Sequence, residues 1–133
     1  MPADALPVPQ AVAGPRLASP LSFCKVTFGP YTDASGESAF VGMVGYIKPT
    51  RQVRVGGVVI VNKHIDVVIG ADGRASVELA HTGQGDEDFR YEIFWDAVRV
   101  GDPTPGYEPF ELPVSVGDTV SFDALQTNGL TSR

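Results

Sequence analysis

Four groups of residues carry chemistry by type: Asp72-Gly73 inside GADGRASVELA, the acidic run Asp86-Glu87-Asp88, the histidines His64 and His81 with Asp66, and the one cysteine, Cys24. An Asp-Gly pair can present a carboxylate to a metal or a substrate, or it can simply turn the chain. A calcium loop needs several oxygen ligands at alternating positions, whereas GADGRA offers one carboxylate with Arg74 beside it. The flanking runs IDVVI and ASVELA alternate apolar residues, Val67 and Ile69 matching Val77 and Leu79. That pattern predicts a β-hairpin in which Gly73 takes positive φ and Asp72 bonds local amides.

The other groups are weaker as chemistry. Asp86, Glu87 and Asp88 cannot all point one way from an extended chain, so they read as a solvated loop ahead of a calcium site or a dock for a basic partner. His64 and His81 fall near opposite ends of the expected hairpin and could meet across it beside Asp66. They lack a third good ligand, and no nucleophile stands in a G-x-S-x-G context, so surface or strand-end histidines are expected. A lone cysteine forms neither an intramolecular disulfide nor a zinc site, and Cys24 shares a strand face with Val26 and Phe28, as a buried small hydrophobe would. The chain contains no G-x-G-x-x-G, no P-loop, and no pair of carboxylates in distinguishable settings. The expectation is a protein that is not an enzyme, with no catalytic, metal or cofactor residues.

What remains is surface. GDPTPGYEPFELP (101–113) is too rich in proline for a regular strand and presents Tyr107 and Phe110, as recognition loops do, although a loop aromatic can equally pack inward. The first twenty residues carry Pro2, Pro7, Pro9, Pro15 and Pro20 with scattered Leu6, Val8, Val12 and Leu17. Such a segment is an extended or polyproline arm, neither helix nor central strand. These six side chains, Leu6, Val8, Val12, Leu17, Tyr107 and Phe110, are the candidate partner contacts.

The elements that must position them are strands. Runs rich in β-branched and aromatic residues are separated by turn residues: SFCKVTF (22–28), AFVGMVGYI (39–47), QVRVGGVVIV (52–61, broken at Gly56-Gly57), HIDVVIG (64–70), ASVELA (75–80), FRYEIFW (89–95), PFELPVSV (109–116) and TVSFDAL (119–125). FRYEIFW alternates most clearly, with Phe89, Tyr91, Ile93 and Trp95 on one face and Arg90 and Glu92 on the other. With 15 Gly and 11 Pro in 133 residues, no window sustains a helical period. The expected fold is all-β, an antiparallel β-sandwich of the immunoglobulin or fibronectin III kind, with a small β-barrel as alternative. The expected organisation is an arm (1–20), one β-domain (21–126) and a C-terminal tail (127–133).

Charge narrows the partners. The net charge is -6, and residues 81–133 hold three Lys/Arg against ten Asp/Glu. A nucleic-acid binder neutralises phosphates with Lys and Arg, so no nucleic acid is expected. No run of about 18 apolar residues and no basic-then-apolar leader occur, so a soluble protein made in a cytoplasm, without membrane span, is expected.

Residues 21–126 also resemble a β-domain of minor tail proteins, structural components of tailed bacteriophages that infect actinobacteria. The resemblance rests on an order of features: an opening strand ending KVTFGPY, an irregular middle, VVIGADGRASVELAHTGQGDEDFRYEIFW, and a closing FELPVSVGDTVSFDAL. Leu79, Thr82, Tyr91, Pro113, Phe122 and Leu125 fall at the matching positions. The sequence departs at HTGQGD, where the family more often runs Thr and Asp, and it is longer at 101–108. The resemblance implies a non-enzymatic virion component assembled in the host cytoplasm, a minor tail or tail-tip protein. Its partners would be other virion proteins and further copies of itself, with the arm laid across a neighbouring subunit. A capsid decoration protein and a host-surface glycan-binding module are the alternatives. Glycan binding would need several exposed aromatics in one shallow groove, and the alternation in FRYEIFW sends most of them to the core.

Overall fold

The computed structural model describes residues 21–96 and 103–126. The arm, with Leu6, Val8, Val12 and Leu17, and the tail beyond residue 126 lie outside the described residues. The described chain is mostly β, in three small open sheets. Its strands are β1 (Phe23–Phe28), β2 (Val44–Pro49), β3 (Val53–Val55), β4 (Val58–Ile60), β5 (Ile65–Val68), β6 (Ala75–Ala80), β7 (Tyr91–Trp95) and β8 (Thr119–Ser121). A single helical turn, α1 (Phe122–Leu125), follows β8 directly.

One sheet has the order β6-β1-β8, with β1 antiparallel to β6 and parallel to β8. The second has the order β5-β2-β7, antiparallel throughout. The third is the β3-β4 pair, turned about Gly56-Gly57 with Val55 opposite Val58 and Gly56 at φ 59°. The run read as one strand broken at Gly56-Gly57 is thus two short strands of a hairpin, with the two glycines at its turn.

Because β residues alternate faces, each three-stranded sheet sends one set of side chains inward. β1 contributes Cys24, Val26 and Phe28, β6 contributes Leu79, β2 contributes Ile47, β5 contributes Val67 and β7 contributes Tyr91 and Ile93, all in one buried cluster. The face expected of FRYEIFW is kept: Phe89, Tyr91 and Ile93 are buried and Trp95 half-buried. Rings run through this core in sequence. Phe89 meets Tyr91, Tyr91 meets Phe110, Phe110 meets Phe122, and Phe122 stacks on Phe28 with centroids 4.6 Å apart. Offset and edge-on ring pairs of this kind add roughly 0.5–1.5 kcal/mol each beyond burial.

Several boundaries differ from the sequence reading. The hairpin expected at Asp72-Gly73 is not one, because β5 pairs with β2 and β6 pairs with β1, so the turn carries the chain from one sheet to the other. The local pattern was symmetrical about the turn, but each flanking strand found its partner elsewhere, β6 over the whole length of β1. Residues 39–43 form turns instead of strand: Phe40 has φ 61° and Gly42 φ 82°, and Gly42 N–H donates to the Ile69 carbonyl. Residues 109–116 are not a strand either. Phe110 makes an isolated bridge with Tyr91, and Val114–Val116 is a 3-10 turn after Pro113. TVSFDAL changes from strand to helical turn at Ser121, whose Oγ accepts from Asp123 N–H at 3.2 Å and caps α1.

Candidate functional site

The Asp72-Gly73 turn is built for geometry. Gly70 N–H donates to the Arg74 carbonyl, Gly73 N–H donates back to the Gly70 carbonyl, and the Asp72 carboxylate accepts from Arg74 N–H at 3.2 Å. Gly73 has φ 75°, and a Cβ there would lie 2.5 Å from the Tyr31 carbonyl oxygen. The turn is pressed backbone to backbone against the segment after β1, where Tyr31 N–H donates to the Gly73 carbonyl at 3.0 Å. Behind it, Asp123 accepts from the Tyr31 hydroxyl at 2.8 Å and from Gly29 N–H at 3.3 Å. Burial, and then the Asp123 carboxylate, push the Tyr31 phenol well above its ordinary range.

In the acidic loop, Asp86 pairs with the Arg54 backbone through both its N–H and its carboxylate, and Glu87 meets Arg51 at 2.7 Å. The loop therefore pins β3 to the segment before β7. Among the described residues, no group of three or more His, Cys, Asp or Glu is arranged to hold a metal ion.

The structure separates the two histidines. His64 stands exposed ahead of β5, 3.3 Å from Asp66 and edge-on to Tyr46, with centroids 5.4 Å apart. His81 stands at a strand end, directly after β6, but it is buried, at 3% exposure. Its Nε2 lies 2.8 Å from the Gly117 carbonyl and so carries the proton, which leaves Nδ1 to accept from Ser22 Oγ at 2.9 Å in the neutral ring. A serine hydroxyl against an imidazole resembles a nucleophile and base. Here the surrounding donors are already engaged: Gln84 Nε2 donates to the carbonyls of Ser22 and His81, and Ser22 N–H donates to Gln84 Oε1. The group works as a staple joining the start of β1, the end of β6 and the turn before β8. Cys24 is fully buried, as expected, and burial first and Asp118 second raise its thiol above the usual range.

Of the two loop aromatics, Tyr107 is exposed and Phe110 is not. Phe110 is 3% exposed, packed between the tilted ring of Tyr91 and the ring of Phe122, which it meets edge-on, so it is a core residue and unavailable to a partner. Gln126, buried at 2% exposure, holds this loop by a pair of bonds to the Glu108 backbone: Oε1 accepts from Glu108 N–H and Nε2 donates to its carbonyl. Trp95 Nε1 donates to the Gly106 carbonyl at 2.6 Å on the same loop.

A surface the sequence reading passed over lies on the outer face of the β5-β2-β7 sheet. With Gly45, Ile47, Val67 and Ile93 turned inward, alternation turns Val44, Tyr46, Val68 and Phe94 outward. The register places Tyr46 between Asp66 and Phe94, and Val44 opposite Val68. Phe94 is 59% exposed and Val68 54%. The signal was present, since Phe94 follows Arg90 and Glu92 on the solvent phase of FRYEIFW.

Among the described residues no helix is long and apolar enough to cross a membrane. No protein-family model matches the chain, and no curated protein or solved structure matches it either.

Proposed function

We propose that this chain is a non-enzymatic structural β-domain that acts by docking against other protein subunits, in the role of a minor tail or tail-tip component of a bacteriophage particle, with a capsid decoration protein as the nearest variant. We further infer that the two three-stranded sheets are the layers of an immunoglobulin- or fibronectin-like sandwich, a reading supported by the single core their inner faces share. The observation that carries the docking role is the outer face of β5-β2-β7, where Phe94, Val68, Tyr46 and Val44 form an apolar field on a sheet whose other side is already filled. An exposed phenylalanine beside a tyrosine contributes little to the fold and much to an interface, where aromatic anchors carry most of the binding energy. The phage assignment itself comes from the order of sequence features around Asp72-Gly73-Arg74, Leu79 and Tyr91.

The test is incorporation. Phe94→Asp, supplied during particle assembly, is expected to keep the wild-type unfolding midpoint and to be lost from purified virions. Equal incorporation of wild type and variant would overturn the docking role of this face. One arrangement favours a second reading: Tyr46, Phe94 and the Asp66 carboxylate share a row across the sheet, and a sugar ring could stack there while bonding the acid. Binding of the isolated domain to a glycan array, lost in Tyr46→Ala and Phe94→Ala, would select that reading.

A further inference from the structure

An apolar groove of about 230 Å3 runs between β4, the edge of β5 and the edge of β6, lined by Leu21, Phe23, Val58, Ile60, Ile65 and Leu79 among others. Its rim leaves large aliphatic side chains in water: Val59 is 42% exposed, Val61 52% and Ile65 43%. The groove is also where the chain enters the domain, since Leu21 and Phe23 are both part of its wall. Twenty residues precede Leu21, with Leu17 and Val12 the next large apolar side chains upstream and with Asp4 balanced by Arg16.

We propose that this groove is the seat of the chain's own proximal arm, residues 12–20, with Leu17 and Val12 covering the exposed valines of β4 and its neighbour. Reach favours this occupant. Four residues of polyproline-like chain would span about 12 Å, and Leu21 already shares the groove wall with Val58, Val59 and Ile60, which brings β4 within reach of Leu17. Composition favours it too. Pro15 and Pro20 remove backbone donors that an added strand would need, so the segment suits a groove that takes side chains more than an edge that takes a ladder. Proline also lowers the entropy lost on ordering, and tethering at Leu21 makes the encounter intramolecular at high effective concentration. Leu6 and Val8 are left beyond the groove for a neighbour. The inference goes beyond the docking role of the Phe94 face and does not rest on it.

Two measurements on the full chain test it. The arm contains one trypsin site, after Arg16. Cleavage there is expected to be slowed about tenfold relative to a free peptide of the same sequence, and Val59→Asp is expected to remove that protection while the unfolding midpoint holds. Cleavage of the wild-type chain at the free-peptide rate would overturn the proposal. In the second, Leu17→Cys and Val61→Cys are joined by a short bismaleimide, the native Cys24 being fully buried. A crosslink within one chain, with a yield constant on dilution, supports the proposal. Covalent dimers whose yield rises with concentration would replace it with the arm of a second copy, and no crosslink above a Ser35→Cys control would sink it.

Discussion

The hydroxyl of Tyr91, in β7, donates to the carbonyl of Ala80, in β6, at 2.6 Å within the core, so a hydrogen bond passes from one three-stranded sheet to the other. Tyr91→Phe keeps the ring stack and leaves a buried acceptor short of a partner. The expected loss is about 1–2 kcal/mol of unfolding free energy, read from urea denaturation with an unchanged slope.

The Asp72-Gly73 pair separates geometry from charge. Gly73→Ala forces a Cβ into the Tyr31 backbone at φ 75° and is expected to cost about 2–3 kcal/mol. Asp72→Ala removes an exposed carboxylate with one 3.2 Å bond to Arg74 N–H, and its effect should stay within about 0.5 kcal/mol. A large loss from Asp72→Ala would reverse the assignment of this turn to backbone geometry.

Gly45 lies against the face of Trp95, and a Cβ there would sit 2.9 Å from Cζ3 of the indole. Gly45→Ala must displace the ring or the strand, at an expected cost of about 1–3 kcal/mol. Trp95 is the one tryptophan, so its emission reports the displacement directly. An unshifted spectrum with unchanged stability would contradict the close packing of β2 on β7.

Alkaline pH should unfold the domain through two phenols. Tyr31 and Tyr91 both titrate above the ordinary value near 10, burial being the first cause for each and the Asp123 carboxylate adding for Tyr31. A raised folded-state value means the native form holds its proton more tightly. The stabilisation is therefore complete below pH about 10 and declines as pH rises beyond it. Denaturation midpoints measured from pH 8 to 11.5 should fall above 10, and the fall should be shallower in Tyr31→Phe than in the wild type.

Much of the architecture was legible because strand signals are local. FRYEIFW put Phe89, Tyr91 and Ile93 inward and SFCKVTF did the same for Cys24, Val26 and Phe28, while Gly56-Gly57 marked a break in its run that the structure makes a hairpin. Pairing was not legible at GADGRA, where two alternating runs flank a good turn yet lie in different sheets. Sequence proximity favoured β5 with β6, but β6 gains a six-residue ladder with β1. The roles of His81, Gln84 and Gln126 were not legible for a related reason: they depend on backbone groups such as those of Ser22, Glu108 and Gly117, which composition does not reveal. Phe94 could have been read from the phase of its own strand.

β1 is held on one edge by β6 and on the other by β8, the last of the described strands, which is followed at once by the core ring of Phe122. Order of synthesis and order of closure are therefore opposed. Of the described strands, the first in chain order bears Val26 and Phe28 for the core, yet its second edge comes from the last of them and the ring stacked on Phe28 from the helical turn that follows it. Contacts this distant along the chain make for slow folding and a long-lived sticky edge. The nascent domain gains its cooperativity late, and a message cut short before Thr119 would release a chain with an open β1 edge and without the Phe122 ring that stacks on Phe28.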